Sequence, residues 1–267
     1  MTKLNSILGV DGSGKDYWLK ACFPDLQAVS GSYPLPCTQY HHSPYCAAPG
    51  LSKLLYKLGA LADQSEDAAL KAMSLFLKMM LFPGEYAHLQ SRFQATTIVS
   101  TRHPAIDTVA YSQLFLKSIP LGRPAEENHL FRARQMLNKE EWAQLENFLG
   151  QLSAKNPRGS MEELILDIGR QEIGGQIQAY VTIFGTPLPD KILFLNPEIS
   201  RIEQNLESRK GSTPEIHERA DYLKALQHQF HSCLEAVRKI APNTEIKEIL
   251  PTLEVEGRED MLAFLTK

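Results

Sequence analysis

The sequence predicts a three-layer α/β fold, a parallel five-stranded sheet flanked by helices. Short runs rich in β-branched and apolar residues alternate with long stretches of helical periodicity. A composition of 43% hydrophobic and 22% charged residues over 267 positions is that of one large globular domain. A glycine-rich turn directly follows the first apolar run. Strands separated by helices imply parallel pairing, because each crossover must travel back across the sheet and lays a helix on one of its faces.

Taken in order, "NSILGV" reads as the first strand, and the turn "GVDGSGK" leads from it into a helix. "LQAVS", "ATTIVS", "KILFL" and "EIKEIL" read as the second to fifth strands. Helical patterns fall at about 50–81, 104–117, 138–151, 160–173, 197–209, 214–240 and 257–266. "QAYVTIFG" has strand composition but continues a helical pattern, so either assignment is open. The proline-rich stretch from Ser32 to Pro49 reads as a long loop. Neither an internal repeat nor a low-complexity tract interrupts the chain, and 1–267 is expected to form a single domain.

Charge and hydropathy narrow the function. A net charge of -3 leaves no basic footprint for extended nucleic acid, although a local cationic cluster around a small anion stays compatible with it. No apolar run reaches the length of a membrane span, and "MTKLNSILGV" lacks a signal-peptide core, so a cytoplasmic protein without a membrane partner is expected. Cys22, Cys37, Cys46 and Cys233 form no Cys-x-x-Cys pair and are expected as reduced thiols. A homodimer is among the assemblies the sequence allows.

The stretch "LGVDGSGKDYWL" carries the sharpest signal. Gly9, Gly14 and Lys15 complete Gly-x-x-x-x-Gly-Lys, but Asp16 stands where a Ser or Thr hydroxyl belongs. In such a loop Gly9, Gly12, Ser13 and Gly14 turn consecutive backbone N–H groups inward, the following helix adds its positive end, and Lys15 reaches the β and γ phosphates of a nucleoside triphosphate. The plainer alternative is a tight strand-to-helix turn.

With this loop the sequence resembles the thymidylate kinases and their relatives the deoxynucleoside kinases, thymidine kinases among them. "TIVSTRHPAIDTVAYSQ" is similar to the family's Asp-Arg-His-Pro or Asp-Arg-Tyr segment and the helix after it. "LPDKILFLNPEISRIEQNLESRKG" is similar to its fourth strand, Pro-Glu turn and the helix leading to an arginine-bearing lid. The order of the three segments holds over about 200 residues. The resemblance implies a P-loop nucleoside or nucleotide kinase-like fold, with a lid near 205–220 and a helical insertion near 120–180. It also implies ATP and Mg²⁺, and a small nucleoside or nucleoside monophosphate acceptor, thymidine-like or thymidylate-like.

The same resemblance suggests residue roles. Asp11 matches the loop aspartate that approaches the acceptor sugar, its alternative role being to stabilise the turn. Arg102 matches the arginine that grips the acceptor's phosphate or the transferred group, where a guanidinium fork reaches two oxygens at once; a salt bridge is the alternative. Arg209 and Lys210, with Arg219 beyond, fall on the lid, where cations stabilise the transferred charge; a solvated charge run is the alternative.

Two positions depart from the family. Thr101 stands where an aspartate near magnesium is usual, and Asp16 where the loop hydroxyl is usual. Either the two have exchanged Mg²⁺ duties, since a carboxylate and a hydroxyl are both hard oxygen donors, or both duties are lost and the chain is a catalytically impaired pseudokinase or nucleotide-binding regulatory module. A P-loop kinase for an unrelated small acceptor is a third reading. The expected acceptor carboxylate is missing from "AVSGSYPLP". "CTQYHHSPYC" invites zinc at Cys37, His41, His42 and Cys46, but lacks the close Cys pair of structural sites and reads rather as a polar loop. "MSLFLKMMLFPGEY" reads as core, with Phe76 also lining the base pocket by resemblance.

Overall fold

The computed structural model describes residues 2–29, 31–115, 129–155, 161–208, 220–250 and 255–266. Strands β1 (Lys3–Leu8), β2 (Ser32–Pro36), β3 (Thr97–Thr101), β4 (Lys191–Leu195) and β5 (Glu245–Ile249) form one parallel sheet in the order β2-β3-β1-β4-β5. Helix α1 (Lys15–Ala28) follows β1, α2 (Pro49–Gln64) and α3 (Ala68–Phe93) separate β2 from β3, and α4 (Pro104–Phe115) follows β3. Next come α5 (His129–Met136), α6 (Lys139–Lys155), α7 (Met161–Gly169) and α8 (Ile173–Phe184). Helices α9 (Ile199–Glu207) and α10 (Ala220–Ile240) lie between β4 and β5, and α11 (Val255–Thr266) follows β5. This sheet order, with a glycine loop between β1 and α1, is the P-loop kinase-like fold. Among the described residues no helix is long and apolar enough to cross a membrane.

Strand alternation splits the core between the two faces of the sheet. Leu4 and Leu8 of β1 join Ile192 and Phe194 of β4 in the larger cluster, which takes in α3, α4, α8 and α10. Ile7, Val99, Leu193 and Leu195 point the other way, onto Trp18 and Leu19 of α1 and Met261 and Leu265 of α11. Because all strands run parallel, the segments after β1, β3 and β4 emerge at one edge of the sheet, where open α/β sheets bind ligands.

Three readings of the sequence are corrected, and one left open is settled. Residues 26–28 of "LQAVS" close α1 and Val29 caps it, Ser30 lying outside the described residues, and the second strand is "SYPLP", inside the stretch read as loop. Its prolines fit because β2 is an outer strand paired with β3 alone, where a missing N–H costs no ladder bond. The helix expected over 50–81 is two helices: Asp67 caps α3 by accepting from the Leu70 N–H at 3.0 Å, and Glu66 turns the chain at φ 53°. "QAYVTIFG" is helical, the last turns of α8, closed by Gly185. Helix α5 matches none of the individual helical patterns read from the sequence, although it falls within the insertion expected near 120–180. Residues 116–117, 160, 209 and 214–219, from four expected helices, lie outside the described residues.

Candidate functional site

The loop between β1 and α1 is built around close approach. A Cβ on Gly9 would lie 2.7 Å from the Leu195 carbonyl oxygen. Gly12 has φ 81°, and a Cβ there would lie 2.8 Å from Ile202 Cγ2 and 2.9 Å from Leu206 Cγ, so only glycine lets α9 pack on the loop. Asn205 of α9 donates to the Gly12 carbonyl at 2.8 Å. Lys15, the first residue of α1, is buried and donates from Nζ to the Val10 carbonyl at 3.0 Å and to Asp11 Oδ1 at 3.1 Å.

Asp11 is also the meeting point with the end of β3. Arg102 donates from Nη2 to Asp11 Oδ1, and from Nη1 to Asp107 Oδ1 and the Tyr111 oxygen, both at 3.0 Å. The Tyr111 hydroxyl donates to Asp11 Oδ2 at 2.8 Å, and Asp107 Oδ2 accepts from the His103 N–H at 2.8 Å. Asp107 and Tyr111 stand four residues apart, on one face of α4. Arg102 has φ 75°, a left-handed backbone that is uncommon for a residue with a side chain, and its own N–H is bonded to the Ile7 carbonyl at 2.9 Å.

Burial sets the protonation states of this cluster. It opposes the charge on Arg102, but Asp11, Tyr111 and Asp107 outweigh it and hold the guanidinium protonated well above its ordinary range. Burial raises Asp107, opposed by Arg102 and the His103 amide. It also keeps Tyr111 a neutral phenol, able to donate to Asp11. Burial lowers His103 to about 4, against the bond from its ring to the Pro187 carbonyl, so the imidazole is neutral near pH 7.

A cleft of about 710 Å³ opens over this cluster. Asp11, Gly12, Ser13, Gly14, Lys15, Asp16 and Arg102 all line it. Asp16 is exposed on its wall. Thr101 does not line it: the residue is wholly buried at the end of β3. Its Oγ1, like the buried Oγ of Ser13, has no hydrogen-bond partner among the described residues. Arg209, Lys210 and Arg219 lie outside the described residues, as does most of the segment expected as a lid.

Elsewhere the candidates take other places. Phe76 is absent from the cleft wall and packs in the core at 5.4 Å from the Phe184 ring. In the Cys/His loop, Cys37 bonds to the Tyr40 hydroxyl at 3.1 Å and Cys46 donates to Glu85 at 3.3 Å. Burial pushes both thiols up to about 12, which keeps them protonated. His41 shares a hydrogen bond with Ser52 at 2.9 Å.

The sequence reading missed several wall residues. Arg201 and Asn205 reach the cleft from one face of α9, and Lys71, Ser74 and Lys78 from one face of α3. Their signal was polar residues recurring at helical spacing, hidden on α3 inside a Met- and Phe-rich run. Asp107 and Tyr111 were visible in the segment after β3, without a stated role.

No family model matches the chain, and no curated protein matches it. Among solved structures, it is similar to a thymidylate kinase from Candida albicans at 16% identity, over 98% of this chain and 90% of that one, with a TM-score of 0.49. It is also similar to a deoxyadenosine kinase from M. mycoides, solved with bound dATP, at 10% identity over 97% of each chain, with a TM-score of 0.47. At such identities and scores, the functional reading rests on the geometry of the chain itself.

Proposed function

We propose that the protein transfers a phosphoryl group from ATP to a nucleoside or nucleoside monophosphate, a thymidine-like or thymidylate-like acceptor being favoured by the sequence resemblance. The observation that carries this reading is the convergence of Lys15, Asp11 and Arg102 at the mouth of the glycine loop, on the wall of a single cleft. A backbone cradle with a lysine at the first turn of a helix suits the β and γ phosphates, and a charged, pre-positioned guanidinium suits the group in transfer. Asp11 holds both cations and faces the space an acceptor would fill. Arg201, on the same wall, and Arg209 and Lys210 in the lid segment are the further cations we assign to the phosphates.

Mg²⁺ fits the residues present. Asp16 supplies a carboxylate on the wall, and Ser13 and Thr101 supply buried hydroxyls without protein partners among the described residues, a set of hard oxygen donors. We assign the ion to Asp16 on the wall and to Thr101 behind it, the two having exchanged the usual roles; Thr101 is buried off the cleft and takes part only if its hydroxyl turns into it. When bound, it neutralises charge on the phosphates.

One arrangement favours a second reading, a nucleotide-binding module without turnover. Lys15 is already engaged by the Val10 carbonyl and Asp11, and Asp16 puts negative charge beside the phosphate cradle. An ATP-consumption assay over a panel of nucleosides and nucleoside monophosphates decides between the two. Magnesium-dependent turnover with one of them supports the kinase. ATP binding without turnover of any acceptor supports the module.

A further inference from the structure

Two serines lie buried where the sheet otherwise carries hydrocarbon. Ser6 of β1 and Ser100 of β3 are register partners on neighbouring strands, and both are wholly buried. Strand alternation puts them on the face of Leu4, Leu8 and Ile98, which belong to the larger apolar cluster. A hydroxyl buried there costs free energy unless it is hydrogen-bonded, and an alanine would carry no such cost.

The bonds of the two serines lead out of the core to Arg102. Their oxygens are 2.8 Å apart, and Ser100 Oγ lies 2.9 Å from the Arg102 carbonyl oxygen and 3.5 Å from that of Asn5. Each serine has one proton to give, and a carbonyl only accepts. Ser100 gives its proton to the nearer carbonyl, that of Arg102, so Ser6 is the donor between the two hydroxyls. The chain of bonds runs one way, from Ser6 through Ser100 to Arg102.

Arg102 is where the backbone leaves the sheet, in the left-handed conformation at φ 75°. Its N–H still extends the ladder to the Ile7 carbonyl at 2.9 Å, whereas no backbone N–H among the described residues bonds to its carbonyl. Ser100 stands in for the missing ladder partner. From this turn the guanidinium fork reaches Asp11 on the glycine loop and Asp107 and Tyr111 on α4. A left-handed residue with a side chain persists only where its surroundings hold it, and such residues cluster at active sites and ligand clamps.

We infer that Ser100 is a positioning residue for phosphoryl transfer: its hydroxyl, oriented by Ser6, holds the left-handed turn that aims the Arg102 guanidinium at the glycine loop. Ser100 does not line the cleft, so it acts through Arg102 and not on a ligand. This rests on the proposed role of Arg102 toward the group in transfer.

The test compares Ser100→Ala, Ser100→Cys and Ser6→Ala with the wild type. NMR reads the guanidinium N–H resonances of Arg102, identified by their loss in Arg102→Lys, and steady-state kinetics reads turnover. Cysteine is close to serine in size and a weaker donor, and Ser6→Ala removes an equally buried hydroxyl while leaving the donor to the Arg102 carbonyl. In Ser100→Ala the Arg102 resonances are expected to shift and to exchange faster with solvent, and turnover to fall about tenfold with little change in the KM for ATP. Ser100→Cys should fall between, and Ser6→Ala should stay near the wild type in both readouts. If the wild type turns over no acceptor, the proposed function fails, and the resonances alone decide whether Ser100 sets the Arg102 fork. Unmoved resonances in the folded Ser100 variants overturn the inference. So does an equal change in Ser6→Ala, the mark of a general loss in the core, or wild-type turnover despite shifted resonances, which would leave the turn a matter of the fold only.

Discussion

Asp11 of the glycine loop and Arg102 at the end of β3, 91 positions apart, form a hydrogen-bonded ion pair whose carboxylate is shared with Lys15 and Tyr111. The loop that would hold a triphosphate and the strand end that would face an acceptor are therefore one electrostatic unit. Perturbing one partner redistributes bonds among the others.

Arg102→Lys tests the chemical half of that unit. An ammonium cannot serve Asp11, Asp107 and Tyr111 from one fork, so the transferred group meets a displaced charge. Turnover is expected to fall about tenfold or more while ATP affinity changes little, since Lys15 and the loop amides remain. Steady-state kinetics beside calorimetric ATP titration check this. Wild-type values for both constants would make Arg102 a structural residue only.

Tyr111→Phe tests the structural half. It deprives Asp11 Oδ2 of a donor and Arg102 Nη1 of an acceptor in a buried setting, an expected loss of about 1 kcal/mol. Differential scanning calorimetry should show Tm lower by about 2 to 4 °C. An unchanged Tm would mean that the hydroxyl adds nothing to the pair.

His103 gives the fold a pH signature. Its folded-state value is lowered from 6.5 to about 4 by burial. Above pH 6.5 both states are neutral. Below it the unfolded chain takes up a proton that the buried ring refuses until about pH 4, so stability falls across that window by about 3 kcal/mol. His103→Gln removes the titrating group and can still donate to the Pro187 carbonyl. Denaturant midpoints from pH 7 to pH 4 should fall less steeply in the variant than in the wild type, and parallel curves would count against the buried neutral ring.

Much of this architecture was legible in the sequence because it is written in local patterns. β4 falls on "KILFL", and β1, β3 and β5 overlap their expected segments, since apolar alternation bounded by turn residues is a local signal. β2 was not legible: two prolines in five residues argue against a strand, and only its place at the sheet edge removes the objection. In the site, Gly9, Gly14 and Lys15 announced themselves by spacing, and Arg102 by resemblance. Lys71 and Lys78 did not, because they sit inside a Met- and Phe-rich run that reads as core, and only the packing of α2 on α3 sets them on the cleft wall.

Asp16 and Thr101, to which we assign exchanged magnesium duties, should behave as a pair. Asp16→Ser alone leaves hydroxyls without a carboxylate, and Thr101→Asp alone sets two carboxylates around one ion and buries a charge at a fully buried position. Each single variant is expected to lose magnesium-dependent ATP binding, and the double variant to recover much of it, with a coupling on the order of 1 to 3 kcal/mol. Additive effects, or tighter ATP binding by Asp16→Ser alone, would contradict the exchange and favour the module without turnover.

The central claim, that the loop after β1 binds a nucleoside triphosphate, is tested most directly by calorimetric titration of ATP with Mg²⁺ into the wild type and into Lys15→Ala. The substitution removes the lysine that neutralises the β and γ phosphates, while Asp11 keeps its bonds to Arg102 and Tyr111 and so holds the loop in place. The account predicts binding to the wild type that is abolished or severely weakened in the variant, with the melting transition preserved. Equal affinity in the two folded proteins, or no binding to the wild type, would contradict it.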